Sequence, residues 1–213
     1  EIGQIGTQFD GLGHIGIAVN GPGDKTQMRY YNGVTQLEIE GASGLKKNGV
    51  EKLHPIVARG FLIDVAGAKG VANLEAGYEI TLADVRDALA KQGLADFRFL
   101  PGDGVFFRTG WGVHWIKDNA KFNSGEPGIG MEVAKWLSDT VQAGVVGSDT
   151  WGLENVPAKD AGCAFCVHAH LLTRHGIVNQ ENMDLDALAA DKAWRFLYMY
   201  SPMPIVGATG SAG

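Results

Sequence analysis

Two cysteines among 213 residues are too few for a disulfide framework, so the fold must rest on a packed core. No apolar run approaches the roughly 20 residues that a membrane-spanning helix needs. Positive charge is also short, with 18 Lys and Arg against 24 Asp and Glu and a net charge of −6. Nucleic acid and anionic membrane both demand a basic face, so neither is expected as a partner. Internal repeats and low-complexity tracts are absent as well. What remains is 45% hydrophobic and 20% charged, enough to bury a core within a single domain over residues 1–213. The low cysteine count favours a reducing, cytoplasmic compartment.

Glycine, by contrast, is plentiful at 31 residues, and it breaks up the most informative stretch, EIGQIGTQFDGLGHIG. Gln4, Gln8, Asp10 and His14 fall within it, four coordinating or proton-handling side chains in close succession. One straight helix cannot gather them, because Gln4 and Gln8 share a face from which Asp10 and His14 point away. An extended strand gives all four one face but separates the ends by about 33 Å. Gly3, Gly6, Gly11 and Gly13 permit the reversals that a compact loop would need to aim the four side chains at one point.

Elsewhere the pattern alternates between strands and helices. His14 to Val19, Gly60 to Val65, Phe106 to Thr109, Val145 to Val146, Ala164 to Leu171, Ile177 to Glu181 and Trp194 to Tyr200 read as strands. Thr81 to Gln92 is the clearest helix, with Thr81 and Asp84 as a capping pair and Gly93 as the stop. Met131 to Ala143 and Leu185 to Ala190 are the other helices, while residues 20–50 read as a long surface excursion. Interleaved strands and helices imply an α/β layered fold.

The spacing Gln-x-x-x-Gln-x-Asp-x-x-x-His, with Gly6 and Thr7 in register, resembles the metal-binding loop of the cyclase superfamily that contains bacterial kynurenine formamidases and isatin hydrolases. Most of those loops carry histidine where this chain has Gln4 and Gln8. The glutamine form is similar to the subgroup of trans-dienelactone hydrolases. Further blocks lie in the superfamily's order, among them ARGFLIDVAG, PGDGVFFRTGW, VVGSDTW, VHAHLL and IVNQENMDLDAL.

The resemblance implies a swivelling β/β/α fold with a mixed or barrel-like sheet flanked by helices. It implies a divalent metal, Zn2+ or Mn2+, with Gln4, Gln8, Asp10, His168 and Glu181 as its ligands. It further implies a small-molecule substrate and a homo-oligomer, dimer or tetramer. Because superfamily members carry a segment before this loop, the chain is expected to lack an N-terminal part, and with it any leader peptide.

A metal held by Asp10, His168 and Glu181 would acidify water and polarise a carbonyl. His14 suits the general acid–base role, since an imidazole titrates close to neutrality. The glutamine amide oxygen is a hard, neutral donor that favours oxygen-tolerant ions such as manganese. Alternatively, Gln4 and Gln8 are outer donors that orient Asp10 or the substrate. The implied reaction is hydrolysis of a lactone or cyclic amide, with an arylformamidase or isatin-type amidohydrolase as the enzymatic alternative. A catalytically silent metabolite binder is the non-enzymatic one.

CAFCVHAH, with Cys163, Cys166, His168 and His170, mimics a zinc motif, but its two pairs are too close to meet across a turn. The cysteines are expected to pack as small apolar residues, and the strand reading places His168 and His170 on one face. Asp149 and Thr150 follow a strand end, where α/β proteins tend to place ligand contacts. Asp64 reads as structural. His54, His114 and His175 read as surface or pocket residues, and Trp111, Trp115 and Trp151 as core packing or a pocket lining.

Overall fold

The computed structural model describes residues 3–21, 24, 27–160, 162 and 164–213. In chain order the strands are β1 (Gln8–Asp10), β2 (Ile17–Ala18), β3 (Met28–Arg29), β4 (Ile56–Asp64), β5 (Glu79–Ile80), β6 (Gly104–Arg108), β7 (Gly128–Ile129), β8 (Val145–Ser148), β9 (Val178–Glu181), β10 (Arg195–Tyr200) and β11 (Gly210–Ser211). The α-helices are α1 (Gln36–Ile39), α2 (Val65–Lys69), α3 (Leu82–Lys91), α4 (Asn119–Phe122), α5 (Met131–Trp136), α6 (Cys166–His168) and α7 (Asp186–Ala190).

A mixed seven-stranded sheet in the order β10-β4-β6-β8-β9-β1-β11 organises the chain. It curls into a half-barrel flanked by helices. The strands β4, β6, β8 and β9 run parallel, and β10, β1 and β11 are added antiparallel at the two sides. Alternation along the strands sorts the core into two layers. Ile63, Val105, Phe107 and Val146 face one way, onto Val85 and Leu89 of α3 and Val133 of α5. Leu62, Phe106, Val145 and Val178 face the other way, with Phe9 and Tyr198.

Local signals explain most element ends. Thr81 caps α3, with its side chain accepting from the Asp84 N–H and Asp84 reaching back to the Thr81 backbone. The same reciprocal cap, between Thr35 and Glu38, starts α1 inside the 20–50 excursion. Only Ile17 and Ala18 of the strand expected at 14–19 are paired, and they join β3 in a two-stranded ribbon.

The helix expected over 131–143 is present, but after Trp136 it widens into a π-helical segment, Leu137–Val141, that ends on a left-handed Gln142. Residues 164–171 depart further from expectation. In place of a strand they hold α6 followed by a π-helical segment, Ala169–His175. The buried pair Val167 and Leu171 is spaced i, i+4, a helical period that the alternation of His168 and His170 disguised. Gly176 closes the segment in the left-handed conformation.

Candidate metal centre

The glycine-broken loop solves the spacing problem by being extended for only three residues. Strand β1 pairs with β9 so that Gln8 lies opposite Glu181 and Asp10 opposite Asn179. Gln8 and Asp10, two apart, therefore share a face with Glu181. Before the strand, the chain folds back on β11, and a Cβ on Gly3 would sit 2.5 Å from the Gly210 carbonyl oxygen, so only glycine allows this approach. That approach brings in Gln4. After the strand, a turn closed by the His14 N–H on the Gly11 carbonyl returns His14 to the same place. His168 arrives from α6 on the opposite side.

Gln4 Nε2 donates to Asp10 Oδ1 at 2.8 Å, and Gln8 Nε2 donates to Glu181 Oε2 at 2.7 Å. Each glutamine thus occupies one oxygen of a carboxylate. The other oxygens turn toward His168, whose Nε2 is 3.7 Å from Asp10 Oδ2 and 3.0 Å from Glu181 Oε1. Asp10 Oδ2 is buried and has no hydrogen-bond partner, an unusual state for a carboxylate oxygen. Asp10, His14 and His168 each present a ligand atom, all within 4.8 Å of one another.

Behind His168 stands Glu154, which the sequence reading did not single out. Its Oε1 lies 2.7 Å from His168 Nδ1 and accepts the His168 backbone N–H at 3.0 Å, while Oε2 accepts the Val167 N–H at 3.3 Å. A carboxylate at Nδ1 fixes the ring and directs Nε2 inward. Glu126 is a second unforeseen member, with Oε2 accepting the Trp151 N–H and Oε1 unpartnered. Neither carboxylate lies in a recognisable spacing, since both meet the site through loops after long separations.

The centre carries an excess of acid. Asp10, Glu126, Glu154 and Glu181 are 0, 0, 4 and 2% exposed, and His168 at 3% is the one imidazole buried among them. Burial and the charge of Asp10 push Glu181 up to about 7, while burial and the charge of Glu181 raise Glu126 well above the usual carboxylate range. Burial works against ionisation of Asp10 too, yet the nearby His168 and the charge of His14 hold it below its ordinary value. Burial would discharge His168, but the nearby Asp10 and its bonds to Glu154 and Glu181 raise it well above the ordinary imidazole value. A buried cluster of this kind needs a compensating cation, and the orphaned Asp10 oxygen together with inward nitrogen and carboxylate donors fits a divalent metal.

The remaining expectations divide. Asp149 accepts from the Thr109 N–H and hydroxyl and from the Gly110 N–H, so it ties the turn after β6. Asp64 caps α2 and pairs with Arg108, as its structural reading required. Trp111 and Trp151 both donate their indole N–H to the Phe122 carbonyl and belong to the packing. Trp115 instead lines a cavity of about 200 Å³ with Lys117, Asp149, Asn182 and Met183, beside the centre and not including it.

His54 is exposed, whereas His114 is half-buried with its ring against Trp111. His170 does not share a face with His168, because the segment is helical and successive even positions diverge. Cys166 is half-buried and disulfide-bonded, which corrects its reading as a free packing thiol, and Cys163 lies outside the described residues.

Glu154 leads to a first expected result. Glu154→Gln keeps an acceptor for one of the two backbone N–H groups but removes the charge at His168 Nδ1, and should weaken metal binding about 10- to 100-fold. Competition with a chromogenic chelator measures this, and unchanged affinity would show that Glu154 supports only the backbone.

A mixed half-barrel with this centre defines the cyclase-like class of α/β folds. Over residues 2–155 the sequence matches the family described as "Putative cyclase", and the chain belongs to that family. Among solved structures it is similar to one described as a novel cyclase, at 32% identity and a TM-score of 0.80, covering 97% of this chain and 66% of that one. Isatin hydrolase A from Labrenzia aggregata, bound to benzyl benzoate, matches at 18% identity and a TM-score of 0.65, with 97% and 69% of the two chains covered. The isatin hydrolase A of Ralstonia solanacearum matches at 20% and 0.64, covering 97% and 68%. These last two likenesses are of fold. The chain spans just under two thirds of the length of the novel cyclase. Among curated proteins the sequence finds no match. No helix among the described residues is long and apolar enough to cross a membrane.

Proposed function

We propose that the protein is a metal-dependent hydrolase that opens a lactone or cyclic amide, with trans-dienelactone-type lactones as its preferred class. The observation that carries this reading is the paired arrangement of glutamines and carboxylates. Gln4 and Gln8 each tie up one carboxylate oxygen, which leaves Asp10 Oδ2 and Glu181 Oε1 directed at His168 Nε2.

In this reading Asp10, His168 and Glu181 hold the cation, which is Zn2+ or Mn2+. When bound, it would supply Lewis acidity, lowering the pKa of water and polarising the substrate carbonyl. Gln4 and Gln8 donate through their amide nitrogens to the carboxylates, the arrangement of an outer donor that holds a ligand in place. Their work is to orient Asp10 and Glu181, the outer-donor alternative of the sequence reading.

His14 handles the proton. Gln4 Nε2, whose direction is set by Asp10 Oδ1, also lies 2.9 Å from His14 Nδ1. That nitrogen faces Asp10 at 3.7 Å. A proton that the imidazole takes from water is stabilised by the Asp10 charge and can be passed to the leaving oxygen or nitrogen. The His14 side chain is 27% exposed, so unlike His168 it stands where substrate can reach it.

Isatin is itself a cyclic amide, so the isatin hydrolases supply the comparison that separates lactone from amide chemistry. An alkoxide or enolate departs more easily than an amide nitrogen, and a centre oriented by neutral glutamines suits the easier leaving group. Lactones should therefore show a higher kcat/KM than matched lactams, isatin and formyl amides. Paired assays at fixed metal content test this. Faster turnover of a formyl amide than of every lactone tried would instead favour the arylformamidase reading.

A further inference from the structure

The two π-helical segments lie outside the centre described above, yet they place a second set of metal-ligand side chains together. Asp139 lies on the segment Leu137–Val141, and His170 and His175 lie on Ala169–His175. Each offers a ligand atom within 4.8 Å of the other two. The π geometry is what joins the histidines. On an α-helix five residues make about 1.4 turns, which would put positions 170 and 175 on different faces. The wider π turn repeats at i, i+5 and stacks them. Their ring centroids are 4.4 Å apart.

A hydroxyl bridge links the two segments. Ser138 Oγ donates to Asp139 Oδ1 at 2.8 Å and lies 2.9 Å from His170 Nε2. The same hydroxyl lies 3.1 Å from the Lys135 carbonyl, so it is anchored on its own segment and holds His170 through Nε2. This is the support that ligating imidazoles usually receive through their other nitrogen.

We propose that Asp139, His170 and His175 form a second metal site, separate from the Asp10 centre, that takes a transition-metal cation of the zinc and nickel class. Two imidazole nitrogens and one carboxylate oxygen select such ions over magnesium or calcium, which prefer all-oxygen sets. Solvent completes the coordination, because Asp139 and His175 are exposed. Bound metal would clasp the two π segments.

The test is titration of the full chain with Ni2+ and separately with Zn2+, reading stoichiometry by calorimetry and the melting temperature in parallel. The proteins are the wild type, His175→Ala and Asp139→Asn. Both substitutions are at exposed positions and should leave folding intact, and neither residue belongs to the proposed hydrolytic centre. Wild type should bind about one more ion per chain than either variant, and should show a metal-dependent rise in melting temperature that both variants lose. Hydrolytic activity and the ion at the Asp10 centre should be unchanged in them. Equal stoichiometry and equal thermal shift in all three proteins would overturn the second site. That outcome is distinct from failure of the first, which is read from Asp10→Asn.

Discussion

Asp10→Asn should leave a folded protein that has lost its metal and with it at least about 100-fold in hydrolytic rate, more than the loss of an outer partner of a ligand usually costs. The reason lies in the two oxygens. Oδ1 accepts from Gln4, and Oδ2 is buried without a partner beside His168. Asparagine removes the charge and puts an amide nitrogen either against the Gln4 donor or into the place of the inward oxygen. It should also remove part of the field that raises His168, because the nearby Asp10 carboxylate contributes to that shift. Elemental analysis of wild type and variant, with circular dichroism as the check on folding, reads the result. Equal metal in the two proteins would remove Asp10 from the ligand set.

His14→Ala should separate chemistry from binding. If His14 moves protons, the variant should retain nearly all of its metal while kcat falls by roughly 10²- to 10⁴-fold, the range for loss of a general acid–base group. The structure makes this a sharp test, since His14 is also close enough to Asp10 and His168 to contribute a ligand atom. Parallel loss of metal and activity would make His14 a ligand and leave the proton to another group. Glu126, whose raised carboxyl lies buried in the same acidic cluster, would then be the group to replace next.

The elements that were legible in the sequence are those with local causes. Thr81, Asp84 and Gly93 bracket α3 because caps and stops act within a few residues, and the parallel strands announced themselves as short apolar runs. The loop residues Gln4, Gln8, Asp10 and His14 were legible as a group by their spacing. How they meet was not, because it depends on the pairing of β1 with β9 from the other end of the chain.

Two failures have specific causes. Residues 164–171 offered an alternation of His168 and His170 that outweighed the helical spacing of Val167 and Leu171, and this misassigned the face of His170. Glu154 and Glu126 carry no local signature at all. Their part in the site comes from burial and from hydrogen bonds to backbone groups 13 to 25 residues away, which only the folded chain displays.

The most direct test of the central claim is the hydrolysis of a lactone by the protein before chelation, after removal of metal, and after return of Zn2+ or Mn2+ in stoichiometric amount. Activity should disappear with the metal and return when about one equivalent per chain is restored at the Asp10 centre, but not in Asp10→Asn. Undiminished lactone hydrolysis by fully metal-free protein would contradict the claim.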